Sequence, residues 1–194
     1  MNKRDFLSAS AMMGLLSAGL ARTANAAVSS PVLLTVSGEI HRSNRGPFDP
    51  AFDQMMAKHG IRFVKAFTFD APALQRLPAV SIRPTLEYDG RVHALSGPLL
   101  ETVLEAAGAG TNGAVLLGLR AVDGYQAVVS RADAGSYRMM VATHLDGQPL
   151  ALGGLGPQWA VFDADTIAPF WDKPLQERFA LCPWGLYHID VRRA

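Results

Sequence analysis

Cysteine is almost absent from this 194-residue chain, in which Cys182 is the only one. A single cysteine excludes an intrachain disulfide and every metal or redox site that is built on a Cys-x-x-Cys pair. Charge is sparse as well, since charged residues make up 18% of the chain and the formal net charge is +1. Without a basic excess the chain lacks the electrostatic footprint of a nucleic-acid-binding protein, so we expect no nucleic acid partner.

Long apolar runs are also missing. The apolar run Phe6–Leu20 follows the basic pair Lys3-Arg4, but Ser and Gly interrupt it, and it is shorter than the about 20 residues that span a bilayer. Ala24–Ala26 has the small-x-small pattern of a signal peptidase site. We therefore predict a signal peptide over residues 1–26 and an exported, periplasmic domain over residues 27–194, with no stable membrane anchor. The basic pair also resembles a twin-arginine signal, so both export routes stay open.

Complete catalytic motifs are not found. No Gly-x-Ser-x-Gly elbow is present, and no two of the five histidines have the His-x-x-x-His spacing of a zinc site. The glycine loop Gly153–Pro157 lacks the Lys-Ser/Thr pair of a phosphate loop and the pattern of a dinucleotide site. This loop is either a structural turn or a cradle whose N–H groups hold an anion. We interpret Cys182 as a small buried residue.

The residues that are present predict a strand-rich domain with few helices. Apolar and β-branched patterns predict strands over residues 32–40, 61–69, 115–122, 125–130, 137–145, 148–152, 158–163 and 184–192. Helical spacing predicts helices over residues 48–59, 69–77 and 98–107, while residues 81–88 are extended and 166–183 show no clear period. No linker or repeat divides the chain, so the expected architecture is a single β-rich α+β domain.

The stretch from residue 97 to residue 165 carries the clearest local signals. Pro98 stands at the first position of the predicted helix, and Gly108 stands at its left-handed cap. Asp123-Gly124 and Asp146-Gly147 each separate two predicted strands and are typical two-residue hairpin turns. Asp89-Gly90 predicts a third hairpin after the extended segment.

Six segments occur in an order that resembles a known family. They are LTVSGEI, FDAPALQRLP, GPLLETVLEAAGA, AVDGYQAVVSRAD, YRMMVATHLDGQPLALGGLGP and WGLYHIDV. From about Val32 to Val191 the chain resembles the molybdopterin-binding domain of the sulfite oxidase family, and in particular its short, exported, single-domain members. The resemblance implies the mixed α+β fold of that family.

Two departures from the family pattern fall where its cofactor would lie. The family holds molybdenum through the pterin dithiolene and one cysteine in the segment that corresponds to Ser81–Tyr88, and this chain has no cysteine there. Thr85 or Glu87 would offer a hard oxygen in place of the soft thiolate. Catalytic members also place an arginine just after Gly-Pro, where this chain has Gln158 and Trp159. We therefore expect no working molybdenum oxidoreductase.

The resemblance implies a pocket between residues 81–88 and 153–158. Arg83 and Arg120 lie in or beside predicted strands, where each is either a bidentate holder of an anion or an exposed edge residue. The expected ligand-binding residues are Arg83, Thr85, Glu87, Tyr88, Arg120, Asp123, Tyr125, Gly154, Gly156 and Pro157. No cofactor follows from the residues themselves, whereas the resemblance implies molybdopterin or another pterin.

Three functions remain open at this point. The first, which we favour, is a non-catalytic ligand-binding or accessory protein for a pterin, a small anion or a periplasmic protein partner. The second is a molybdopterin-dependent oxidoreductase that holds its cofactor without a cysteine ligand. The third is an interaction domain whose pocket is filled by aromatic side chains, with Trp159, Phe162, Phe170, Trp171 and Trp184 available for this.

Overall fold

The computed structural model describes residues 30–110 and 114–194, and the predicted signal peptide lies outside this part of the chain. The strands are β1 (Val32–Gly38), β2 (Ala66–Asp70), β3 (Ala79–Ile82), β4 (Leu95–Pro98), β5 (Val115–Ala121), β6 (Gln126–Ser130), β7 (Met140–Ala142), β8 (His144–Leu145), β9 (Gln148–Pro149), β10 (Trp159–Val161) and β11 (Leu186–Arg193). The α-helices are α1 (Gln54–Lys58), α2 (Ala71–Gln75), α3 (Leu100–Ala106), α4 (Arg131–Ser136) and α5 (Ala168–Trp171).

The main sheet has five strands in the order β2-β1-β11-β5-β6. Strand β11 runs parallel to β1 and antiparallel to β5, so the last strand of the chain lies at the centre of the sheet. Side chains alternate between the two faces of a strand. Ile189 and Val191 are fully buried on one face of β11, whereas His188, Asp190 and Arg192 lie on the other. The sheet therefore has an apolar core face and a polar face.

Helix α3 completes the core. Leu100, Val103 and Leu104 are at most 1% exposed, as the predicted apolar face requires, and Glu105 is exposed. The helix ends before Gly108, whose φ of +72° is the left-handed conformation that favours glycine. The predicted helix and its glycine cap are confirmed, but the predicted start at Pro98 is wrong, because Pro98 pairs with Ala79 as the last residue of β4 and α3 begins at Leu100.

Two smaller sheets extend the fold. One has the order β3-β4-β8-β9 and the other pairs β10 with β7. The hairpin at Asp146-Gly147 is confirmed, since both residues have positive φ and Leu145 pairs with Gln148 across the turn. Together the elements form a single mixed α+β domain that is rich in strands, as predicted. No helix of residues 30–110 and 114–194 has the length and apolarity to cross a membrane.

The predicted helix over residues 48–59 is wrong in its first half. Helix α1 begins only at Gln54, and Phe52 is 86% exposed. The Asp49 carboxylate accepts the Ala51 N–H, and Asp53 accepts the Asp49 N–H, so side chains hold this backbone in turns. Short acidic side chains compete with a helix in this way.

Helix α4 was not predicted, and it replaces the expected loop after β6. The Ser130 hydroxyl accepts the Asp133 N–H at 2.9 Å, which is an N-cap. The strand predicted over residues 137–145 is therefore interrupted, because Arg138 has a φ of 51° and β7 begins only at Met140.

Several other boundaries also differ. The hairpin at Asp123-Gly124 is present, but four residues, 122–125, connect its strands where two were predicted. Val122 does not pair with β6, because its N–H donates to the Gly185 carbonyl. Strands β2, β9 and β10 are shorter than predicted. Asp89-Gly90 forms a turn closed by a single bridge between Thr85 and Val92. The aperiodic stretch 166–183 contains α5 and a short 3₁₀ helix, Leu175–Glu177.

Candidate functional site

Four of the expected ligand-binding residues line one cleft of about 280 Å³. Glu87 and Tyr88 come from the extended segment, and Asp123 and Tyr125 come from the β5–β6 turn. The remaining wall is the stretch 176–184, with Gln176, Phe179, Ala180, Cys182, Pro183 and Trp184. We call this opening the aromatic cleft. No residue of the expected wall at 153–158 lines this cleft, and the C-terminal stretch without clear period lies there instead.

Aromatic side chains dominate the rim of the aromatic cleft. Tyr88, Tyr125 and Trp184 are 53%, 49% and 36% exposed, although aromatic residues are only 8% of the chain. The Tyr125 hydroxyl donates to the Ala180 carbonyl at 2.6 Å and so fixes the turn against the C-terminal wall. Buried Trp159 lies beneath, with its ring 6.3 Å from that of Tyr88. Such a rim presents flat apolar faces to a ligand.

The chain fixes the turn that carries Asp123 and Tyr125. The Asp123 carboxylate accepts the Tyr125 N–H at 2.9 Å, and Gly124, with a φ of +93°, supplies the left-handed residue between them. Asp123 and Tyr125 therefore enter the cleft from a turn that is fixed by a hydrogen bond and is longer than the predicted two-residue hairpin.

Burial governs the acid–base state of the cleft. Burial, and after it the Glu87 carboxylate, raises the pKa of Tyr88 to about 12, so the phenol keeps its proton at neutral pH. Burial also raises the pKa of the Cys182 thiol far above its usual range, with Glu87 acting in the same direction. The cleft therefore combines the carboxylates of Glu87 and Asp123 with neutral phenol and thiol groups.

The donors in the cleft do not fit a thiolate-held metal. Cys182 is 4% exposed, and metals bind the thiolate, which burial and Glu87 both disfavour here. No group of three or more His, Cys, Asp or Glu residues in the described parts of the chain is arranged to hold a metal ion. Gln158 and Trp159, which follow the glycine loop, are fully buried.

The glycine loop lies outside the aromatic cleft. The N–H groups of Gly154 and Gly156 both donate to the Ala151 carbonyl, at 3.1 and 3.0 Å, so neither is available to cradle an anion. Pro157 lines a separate cavity of about 90 Å³. The loop instead contacts the chain next to the cleft wall, because the Leu155 carbonyl accepts the N–H of Gly185, the residue after Trp184.

Arg83 and Thr85 are also outside the cleft. The exposed Arg83 lies near the Asp146 carboxylate, whose pKa its charge helps to lower. The Thr85 N–H donates to the Asp165 carboxylate at 2.7 Å, which ties the extended segment to the chain after β10. Neither residue contacts the aromatic cleft.

Arg120 lines a different, polar cavity of about 280 Å³. Its guanidinium donates to the Gly124 carbonyl at 2.6 Å and to the Gln126 side-chain oxygen. The structure therefore divides the expected site in two, with carboxylates and aromatics in one cleft and Arg120 in the other.

Phe179 and Cys182 line the cleft but are not among the expected ligand-binding residues. The stretch that contains them has no helical or strand periodicity. The aromatic residues close to Pro183, in a chain with few aromatic residues, were the one pattern that could have indicated a site there. Of the aromatics proposed to fill a pocket, Trp159 and Trp184 lie at the cleft, whereas Phe162 and Phe170 pack against Tyr137 in the core.

No family model matches the sequence, and no curated protein matches it.

Proposed function

We propose that this chain is an exported, non-catalytic ligand-binding protein with the fold of the sulfite oxidase family's molybdopterin-binding domain. Its aromatic cleft binds one planar heterocycle of the pterin class. The observation that carries the proposal is the combination in one cleft of Glu87 and Asp123 with three exposed aromatic side chains.

The chemistry of a pterin matches these groups. Its fused rings stack on aromatic faces, and its 2-amino-4-oxo edge carries adjacent N–H donors. An ionised carboxylate only accepts hydrogen bonds and can accept two in parallel. Glu87 and Asp123 therefore suit the donor edge, while Tyr88, Tyr125 and Trp184 suit the ring faces.

The size of the cleft favours a small ligand. Ligand pockets usually measure roughly 300–1,000 Å³, and the aromatic cleft, with about 280 Å³, is slightly smaller than this range. One bicyclic ring fits this volume better than a dinucleotide form of the cofactor. The open cleft also favours ligand binding over a pocket that is filled by its own side chains.

A fluorescence titration with two related pteridines tests the proposal. Pterin has the 2-amino donor, whereas lumazine has a carbonyl oxygen at the same position. We expect the wild-type protein to bind pterin at least about tenfold more tightly than lumazine, because lumazine would set an acceptor against a carboxylate. Glu87→Gln should remove most of this preference, since an amide can donate as well as accept.

Glu105→Gln is the matched control, because Glu105 is an exposed acid on α3. It should leave both affinities unchanged. Equal affinity of the wild-type protein for the two pteridines, or equal effects of the two substitutions, would contradict the proposal.

Elemental analysis separates this function from a molybdenum enzyme. The observation that favours an enzyme without a cysteine ligand is the position of Glu87, one of the two residues that offer a hard oxygen in place of the thiolate, in the lining of the cleft. Protein exported by a host that makes molybdopterin should contain far less than one molybdenum atom per chain. A stoichiometric amount of molybdenum would favour the enzyme.

A further inference from the structure

The polar face of the main sheet has a cavity that the pterin proposal does not use. It lies between the chain after α1 and strands β5, β6 and β11, and it measures about 280 Å³. Its ionisable lining residues are His59, Arg62, Arg120, His188, Asp190 and Arg192. We call it the arginine pocket. Three guanidinium groups from three parts of the chain meet there against a single carboxylate.

Each guanidinium is held by other groups of the protein. Arg120 donates to the Gly124 carbonyl and to Gln126. Arg62 lies over the Phe48 ring, 4.3 Å from its centroid. The Nε of Arg192 lies 3.1 Å from the Asp190 carboxylate. A guanidinium has five N–H donors, so these contacts orient each group and leave donors for a ligand.

Gly118 lies beside the arginine pocket, under two side chains of its lining. A side chain at this buried glycine would begin 2.9 Å from the Gln126 Nε2 and 3.2 Å from the Arg192 Nη2, so these two nitrogen donors occupy the space above it. The bond from Arg120 to the Gln126 oxygen turns the donor nitrogen of that amide toward the same space. Charged and neutral N–H donors that lie together in this way can bind an anion.

His188 lines the pocket and is affected by the positive charge of Arg120. Burial, and after it the charge of Arg120, lowers the pKa of His188 to about 4. Its Nε2 lies 2.9 Å from the Ser37 hydroxyl, so the neutral ring is held in place on the wall. The charge of Asp190 is compensated by Arg192, which leaves Arg62 and Arg120 as uncompensated cations of the lining.

We propose that the arginine pocket is a binding site for a tetrahedral oxyanion, phosphate or sulfate, between Gln126 and the three arginines. This site does not depend on pterin binding in the aromatic cleft. The anion site therefore lies on the polar face of the sheet. Arg83 and the glycine loop, which were expected to hold an anion, do not belong to this site.

Isothermal titration calorimetry with phosphate, sulfate and chloride at constant ionic strength tests the proposal. We expect saturable binding of phosphate or sulfate and none of chloride. Arg192→Gln should weaken this binding about tenfold, because it removes a charged donor. Arg193→Gln is the matched control, since Arg193 is the next residue, has a side chain that is 79% exposed and pairs with Glu39 outside the pocket.

Gly118→Ala is a second variant that leaves every charge in place. The new methyl group would displace the flexible ends of Gln126 and Arg192, so the protein should still unfold cooperatively but bind the oxyanion weakly. The proposal is overturned if neither oxyanion binds, if chloride binds equally, or if Arg192→Gln and Arg193→Gln have equal effects. Pterin affinity, measured on the same samples, should not change.

Discussion

At the scale of single residues, His93 connects two turns that are far apart in the sequence. Its Nδ1 lies 2.6 Å from the Asp146 carboxylate and its Nε2 lies 2.9 Å from the Asp89 carboxylate. Both aspartates belong to Asp-Gly turns. The hydrogen bond with Asp146, and then that with Asp89, raises the pKa of His93, while the same bonds lower the pKa of each aspartate.

This connection predicts a stability difference that depends on pH. The contribution of His93 is complete below its ordinary pKa of 6.5 and is lost as pH rises through its raised folded-state pKa. The contribution of the aspartates is complete above 3.8 and is lost as pH falls through their lowered pKa values. His93→Gln should therefore lower the melting temperature most between about pH 4 and pH 6.5.

Thermal unfolding of wild-type and variant protein over a pH series measures this difference. The exposed His41 provides the control, because His41→Gln should have a small effect at every pH. A His93→Gln effect that is as large near about pH 9 as near about pH 5.5 would disprove the ion-pair account.

Cys182 carries a second residue-scale prediction. Burial protects the thiol and raises its pKa, and the thiolate is the reactive form. Iodoacetamide should therefore alkylate the native protein far more slowly than the protein in concentrated guanidinium chloride. Mass spectrometry of timed samples gives both rates. Equal rates would mean that the wall of the aromatic cleft is not closed over this residue.

At the scale of elements, helix α4 depends on its cap. The Ser130 hydroxyl accepts the Asp133 N–H, and α4 has only six residues. Ser130→Ala should lower the free energy of unfolding by about 1 kcal/mol, because a cap donor loses its partner. Ser136→Ala, at the other end of the helix, should cost less. Urea denaturation measures both, and a larger effect at Ser136 would contradict the cap assignment.

Helix α4 differs from the elements that could be predicted from the sequence in the strength of its local signals. Helix α3 and the Asp146-Gly147 hairpin are specified by local signals, namely an apolar face with a glycine cap and a turn with two positive φ angles. Helix α4 follows a strand without a break, and its single signal is Ser130 three residues before Asp133. The Asp123-Gly124 turn is longer than its dipeptide suggests, because Val122 is held by the distant Gly185.

The candidate site could be predicted only in part for a similar reason. Glu87, Tyr88, Asp123 and Tyr125 lie beside predicted turns, so their positions follow from the local pattern. Their cleft is closed by the stretch 176–184, which has no period and is placed by tertiary contacts such as the bond from Tyr125 to Ala180. Arg120 and Asp123 line different cavities because Arg120 lies on the polar face of β5. The face on which a strand residue lies is defined only by the exact register of the strand.

At the scale of the whole molecule, the sheet is completed by the end of the chain. Strand β11 pairs with both β1 and β5, so the centre of the sheet joins residues that are far apart in sequence. The C-terminal wall of the aromatic cleft leads directly into β11, and Leu186 of β11 pairs with Ala121, which also lines the cleft. The shape of the aromatic cleft is therefore linked to the pairing of β11.

Ile189, which is fully buried on β11, tests this dependence. Ile189→Ala should lower the free energy of unfolding by about 2–5 kcal/mol, since it removes core volume at the centre of the sheet. Val128→Ala on β6 is the control, because Val128 is 47% exposed and should cost much less. Chemical denaturation compares them, and similar losses would contradict the central position of β11.

The central claim is that the aromatic cleft binds a pterin ring, and chemical-shift mapping tests it most directly. Backbone amide spectra of ¹⁵N-labelled protein would be recorded while pterin is added. We predict that the largest shifts fall on residues 87–88, 121–125 and 176–184, and that Gly118 and Arg192 are unaffected. The absence of shifts, or shifts centred on the glycine loop 153–157 or the arginine pocket, would contradict the account.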